Sequence, residues 1–249
     1  MSRAGALAPL DVYVAKKRLT NASGQTIDVV RDLSLRLDTG QVGALIGPSG
    51  CGKTTLMRII AGLDGRFEGA VERPQGPLSM AFQEPRLLPW RSVEDNIRLA
   101  VPRVGEKELG VLLDTLGLGQ HRSHFPGELS LGLARRVALA RAFAVKPALL
   151  LLDEPFVSLD APLALAMQRK LAALVKERAI TTVLVTHDVS QAVRLANRIF
   201  VLSPRPARVV GEIRVESPHK GMGAEDARSV EKRVEGLLVQ ATAGLAIDG

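Results

Sequence analysis

Eight consecutive residues constrain this chain more than any others. Gly47-Pro48-Ser49-Gly50-Cys51-Gly52-Lys53-Thr54 fits the pattern G-x-x-x-x-G-K-[ST]. Glycines let the backbone curl so that successive N–H groups point at one polyphosphate, and the positive end of a following helix strengthens that field. Lys53 is placed to neutralise β- and γ-phosphates, and Thr54 to offer its hydroxyl to Mg²⁺. The pattern is informative only between a strand and a helix. Both are legible: Val42 to Ile46 is uncharged and mostly apolar, and Thr54 to Gly62 has helical spacing. Cys51 reads as a small residue of the loop rather than a redox centre.

Runs like Val42 to Ile46 recur at Leu78 to Phe82, Ala148 to Leu152, Thr182 to Thr186 and Ile199 to Leu202. Near-continuous apolar strands are what a parallel sheet covered on both faces requires. Helical patterns at Arg135–Val145, Ala161–Ala179 and Ser190–Ala196 lie between them, so the core is expected to be a doubly wound α/β sheet. Shorter strands are expected earlier, at Leu10–Val14, Ile27–Val30 and Leu33–Leu37, with a polar turn at Asn21 to Gln25. They form an N-terminal antiparallel part. Residues 84–147 lack a strong strand and read as a helical subdomain inserted in one 249-residue domain. Ser92-Val93-Glu94-Asp95 opens a helix there as a capping box, and Leu109 to Leu116 continues with helical spacing. Residues 204–249 are expected to hold an edge strand (Val209 to Val215) and a short helix near Val230–Val239.

The run Ala148 to Leu152 ends in two carboxylates, Asp153 and Glu154. Ligands of open α/β sheets bind outside the carboxyl ends of the strands, which brings this pair toward the glycine-rich loop. Adjacent strand positions face opposite sides and can take different tasks. Asp153 is expected to hold Mg²⁺ through water, and Glu154 to act as general base on the attacking water.

Composition removes several alternatives. One Cys excludes an intrachain disulfide scaffold and a multi-Cys zinc site. Six Phe, one Tyr and one Trp leave few stacking platforms for single-stranded nucleic acid. The apolar runs fall far short of the roughly 20 residues a membrane helix needs, and the N-terminus has no secretory pattern. The expectation is a soluble cytoplasmic chain. A mean hydropathy of +0.13 hints at a buried partner interface. The net charge of +7 suits an anionic membrane surface as well as nucleic acid.

Four smaller motifs follow the loop in order: Gln83 after Leu78–Phe82; Leu129-Ser130-Leu131-Gly132-Leu133 before Arg136-Val137-Ala138-Leu139-Ala140-Arg141-Ala142; Ser158-Leu159-Asp160; and His187. Together with the loop and the acidic pair they resemble the ATPase subunits of ABC transporters, from about Leu10 to Val215. The resemblance implies a P-loop NTPase fold and ATP hydrolysis with Mg²⁺. Glu154, His187, Lys53 and Gln83 would be catalytic. The nucleotide would be held by Gly47 to Thr54, Thr55, Gln83, Ser130 and Gly132, and the metal by Thr54, Gln83 and Asp153. Gln83 would also couple to the membrane subunit, Ser158-Leu159-Asp160 would be the D-loop, and His187 would sense the γ-phosphate.

The segments Phe82 to Trp90, Val93 to Ile97, Pro155-Phe156 and Leu202 to Pro206 are similar to the nitrate, sulfonate and taurine importer branch. That similarity implies a membrane permease, a second ATPase subunit (a homodimer) and, indirectly, a periplasmic binding protein as partners, with no nucleic acid. The chain would lie on the cytoplasmic face of the inner membrane.

Two departures qualify this. The usual signature is Leu-Ser-Gly-Gly-Gln, whereas Leu131 and Leu133 stand here. If position 131 needs φ above zero, a leucine resists it and turnover slows. Relatives also stack the adenine on an aromatic ring, and Leu19 stands about where that ring is expected. Base recognition by aliphatic contact predicts poor discrimination between ATP and GTP. The alternative function is a nucleotide-binding subunit with weak hydrolysis in a heterodimeric or regulatory complex, which intact Glu154 and His187 oppose. A soluble ATPase acting on DNA or ribosomes would carry coiled coils, zinc modules or duplicated cassettes, and none is visible.

Overall fold

A computed structural model describes residues 8–20, 23–157, 159–216, 218 and 223–243. The chain begins with a long hairpin, β1 (Leu10–Thr20) and β2 (Thr26–Leu37), which pair antiparallel from Leu10↔Leu37 to Thr20↔Thr26. Where the sequence suggested two short strands, β2 is continuous. The interruption at Arg31-Asp32 is a local distortion, with Asp32 at φ 48° and the pairing resuming on either side. Part of the expected turn at Asn21 to Gln25 lies outside the described residues.

β3 (Val42–Ile46) leads through the glycine-rich loop into α1 (Lys53–Ile60). Next comes a strand that the pattern does not foretell, β4 (Glu68–Glu72), antiparallel to β1. Its exposed residues give no apolar alternation to read. Its fit rests on Gly69, where a Cβ would lie 2.1 Å from the Tyr13 carbonyl oxygen.

β5 (Leu78–Ala81) is followed by α2 (Val93–Arg98), α3 (Glu106–Thr115), two short 3₁₀ turns and α4 (Leu131–Ala144). Ser92 caps α2 by accepting a hydrogen bond from the Asp95 N–H. The remaining elements are β6 (Leu149–Asp153), α5 (Ala161–Glu177), β7 (Thr181–Val185), α6 (Val189–Leu195), β8 (Arg198–Leu202), β9 (Val209–Arg214) and α7 (Ala224–Ala243).

The strands form a three-stranded sheet, β2-β1-β4, and a six-stranded sheet, β5-β6-β7-β3-β8-β9. In the larger sheet only the β8–β9 pair is antiparallel. Its central strands β3, β6 and β7 are buried on both faces. Leu150 and Leu152 of β6 join the core beneath the helices, while Leu149 and Leu151 join the core shared with α1 and the hairpin. Each fully buried leucine contributes on the order of 1.5–3 kcal/mol of transfer free energy, so β6 is anchored from both sides. That anchoring fixes where its terminal carboxylates emerge.

An ion-pair network ties the helical segment together. Glu94 accepts hydrogen bonds from Arg98 and Arg122, and both arginines also reach Glu106. Arg122 first, then Arg98, hold the Glu94 carboxyl down at about 2 against the opposing effect of burial. A depressed carboxylate contributes stability that is complete above its ordinary pKa and is lost as pH falls toward the folded value. Glu94→Gln is therefore expected to melt earlier than the parent at neutral pH. The gap in melting temperature should close between about pH 4.5 and 2, and a gap independent of pH would exclude the network as its source.

Candidate active site

Parallel neighbours bring four strand ends to one edge. In the order β5-β6-β7-β3, the residues leaving that edge are Gln83, Asp153-Glu154, Thr186-His187 and Gly47. These are the sequence-predicted site positions, gathered by the chain topology itself.

The loop after β3 turns on Gly50 (φ 74°) and Gly52 (φ 126°), conformations that residues with a Cβ rarely adopt. Lys53 opens α1, and its Nζ donates to the Gly47 and Pro48 carbonyl oxygens at 2.8 and 2.9 Å. The ammonium thus lies folded across the mouth of its own loop. α1 is fastened beneath by Leu56, Met57, Ile59 and Ile60. Cys51 is buried within the loop, in line with a small packing residue. Thr55 follows on α1, half-buried.

The Thr54 hydroxyl donates to Asp153 Oδ2 at 3.1 Å. Asp153 is 4% exposed. Burial pushes its carboxyl above the usual range, the Thr54 hydrogen bond opposes this, adjacent Glu154 adds to it and Lys53 counters it. A hydroxyl and a carboxylate oxygen side by side are the hard donors that Mg²⁺ takes when substrate phosphates complete its shell. The pair fits the cation.

Glu154 leaves the strand with φ 50°, and its N–H donates to the Val185 carbonyl at 3.0 Å. Its carboxylate oxygens lie 3.0 and 2.9 Å from His187 Nδ1. The carboxylate and the histidine meet directly, across the ends of β6 and β7. Asp188 and Asp160 each cap a helix, accepting from the Gln191 and Leu163 N–H groups. Asp160 therefore has a structural task whatever else it does. Ser158 of the same motif lies outside the described residues.

Gln83 is exposed just beyond β5. Ser130 and Gly132 are not part of this cluster. They stand at the start of α4, where Ser130 accepts from the Leu133 N–H at 3.3 Å and a Cβ on Gly132 would come within 3.0 Å of Leu159. Leu131 is the first residue of α4 and is absent from the positive-φ positions. The anticipated backbone conflict does not arise: a helix start takes a leucine without strain. Leu131 is half exposed, and Leu133 packs partly against the core. Leu19 faces its cross-strand partner Ile27 on the hairpin, both partly exposed and both aliphatic.

Three residues around the site carry weight that the sequence reading missed. Asn96, fully buried, accepts from the Leu88 N–H and donates to the Leu88, Arg91 and Ser92 carbonyls. Arg141 donates to the Pro85 and Arg86 carbonyls at 3.0 Å. Together they hold the segment after Gln83. The third is Arg135, buried on α4. The signal for it was available: a pair of adjacent arginines, Arg135 and Arg136, inside a largely apolar helix.

A glycine-rich loop between a buried strand and a helix, with metal-binding oxygens and a carboxylate–histidine pair on the neighbouring strand ends, defines a P-loop ATPase. Comparison with known proteins narrows the class. Residues 30–157 match the family described as ABC transporter. An aliphatic sulfonates import ATP-binding protein of Pseudomonas syringae pv. tomato is 43% identical over 207 residues, covering 83% of this chain and 87% of the relative. One from Bacillus licheniformis is 41% identical over 220 residues, covering 84% and 86%. Among solved structures, a dimeric ATP-binding cassette in a post-hydrolysis state with ADP and Pi is similar at a TM-score of 0.74 and 25% identity, over 86% of this chain and all of that one. A dimeric bacterial ABC transporter cassette follows at 0.73 and 26%. The chain belongs to the ABC transporter family. It is an ATPase of that family, with ATP as substrate and Mg²⁺ as its cation.

Proposed function

We propose that this chain powers the uptake of a small anionic or zwitterionic solute, of the aliphatic sulfonate class that its curated relatives are named for. Two copies close around ATP, dock on a membrane permease at the cytoplasmic face, and are served indirectly by a periplasmic binding protein. Dimeric cassettes among the similar structures support the pairing. Among the described residues no helix is long and apolar enough to cross a membrane. Residues 84–147 act as the helical subdomain that meets the permease, with Gln83 at their root. The observation that carries hydrolysis, rather than nucleotide binding alone, is the direct contact between Glu154 and His187.

In this reading Lys53 releases the Gly47 and Pro48 carbonyls and turns to the β- and γ-phosphates. Thr54, Asp153 and Gln83 would hold Mg²⁺, which would supply charge neutralisation at the phosphate oxygens. Glu154 takes the proton of the attacking water. His187 orients the carboxylate and reaches toward the γ-phosphate. Ser130 and Gly132 lie at the positive end of α4, which caps the nucleotide held by the second copy. Co-expression with the permease and binding protein tests the assignment: the expected result is uptake of an aliphatic sulfonate that stops with a Glu154→Gln chain. Normal sulfonate uptake without this chain would refute it.

The base site gives a second check. With Leu19 and Ile27 offering aliphatic contact, GTP should support turnover comparable to ATP. A ring stacked on the base is worth about 1–3 kcal/mol. Leu19→Tyr should accordingly lower KM for ATP by roughly tenfold, and an unchanged KM would place the base elsewhere.

A further inference from the structure

Arg135 lies just over one turn into α4, 8% exposed, and its Nε and Nη1 have no hydrogen-bond partner. It lines a cavity of about 10 Å³ under the Gln83 turn, with Phe82, Ala138 and Pro155. Two buried guanidinium nitrogens left unpaired are costly, and such a group calls for an explanation in another state of the protein. Burial depresses its pKa, and the one charge that opposes this is Glu154. The carboxylate of Glu154 is meanwhile held through both oxygens by a single histidine nitrogen. Its backbone has the unusual φ of 50°, and the next residue, Pro155, forms a wall of the Arg135 cavity. Glu154 therefore has His187 in contact, and Arg135 stands across the cavity walled by the next residue, Pro155.

We propose that Arg135 is a positioning residue for Glu154. When two copies close on ATP and His187 turns to the γ-phosphate, the guanidinium takes over the carboxylate and fixes it against the attacking water. α4 also carries Ser130 and Gly132 at its N-terminus, so the same helix that meets the second copy's nucleotide sets the base of its own. Arg135 thereby links dimer closure to the readiness of Glu154. The proposal rests on the assignment of Glu154 as general base.

The test compares Arg135→Met, Arg135→Lys and Glu154→Gln in the full chain by steady-state ATP turnover and melting temperature. Arg135→Met is expected to lower kcat by at least about tenfold while KM for ATP stays within about twofold, the pattern of an interaction made in the transition state. Arg135→Lys should recover a substantial part of kcat. The melting temperature of Arg135→Met should equal or exceed the parent's, because an apolar chain replaces an unpaired buried cation. A kcat within twofold of the parent overturns the proposal. So does a fall in melting temperature with lysine no better than methionine, which marks the arginine as packing. If Glu154→Gln is inactive while Arg135→Met is normal, only the role of Arg135 fails; if Glu154→Gln turns over normally, the general-base reading falls and the proposal with it.

Discussion

Glu154→Gln is expected to abolish ATP turnover while leaving ATP binding intact. A positioned general base contributes about 10²–10⁴-fold, and the carboxamide keeps the size of the side chain but cannot take the proton. Lys53, Thr54 and the loop N–H groups are untouched by the change, so the polyphosphate contacts survive. On the proposed pairing, in which hydrolysis would separate the closed copies, the variant should accumulate as an ATP-bound dimer. Single-turnover hydrolysis and size-exclusion chromatography with ATP read both effects. Turnover within about threefold of the parent would remove Glu154 from the proton-transfer step, since loss of a general base costs far more than that.

Lys53→Ala is expected to act on binding instead. The partners that Lys53 Nζ holds here, the Gly47 and Pro48 carbonyls, are loop acceptors that water can serve when the side chain is removed. Folding stability should therefore change little. What is lost is a charge-assisted contact to phosphate, worth about 1.5–3 kcal/mol, or roughly 10- to 100-fold in ATP affinity. Calorimetry with a slowly hydrolysed ATP analogue measures it directly. Parental affinity would show that the ammonium stays on its carbonyls when nucleotide arrives. The two variants separate the roles: one binds without turning over, the other fails to bind.

How far the sequence spoke depended on what signals each element leaves. β3, β6 and β7 were legible because a strand buried on both faces is near-continuously apolar, and each is buried at every position. The glycine-rich loop was legible because residues with a Cβ rarely adopt the φ values at Gly50 and Gly52. β4 was not, since its place depends on the close approach of Gly69 to Tyr13, a contact from another part of the chain. β2 looked broken because Arg31 and Asp32 interrupt its alternation, although the backbone only distorts there. The terminal helix was read as ten residues and α7 runs from Ala224 to Ala243, its charged first turns giving no apolar periodicity. Within the site, strand order placed Gln83, Asp153, Glu154 and His187 at successive strand ends. Ser130 and Gly132 stand apart at the start of α4, where the proposed pairing would bring the second copy's nucleotide.

The buried amide of Asn96 has a consequence for recognition. It grips the turn that carries Pro89 and Trp90, and the indole stands 70% exposed at the tip. An exposed aromatic on a loose loop loses conformational freedom when a partner arrives, whereas this one is already held in shape by the fold. The single tryptophan of the chain is thus offered as a rigid prong, so a surface that meets it gains apolar contact with little ordering cost on this side.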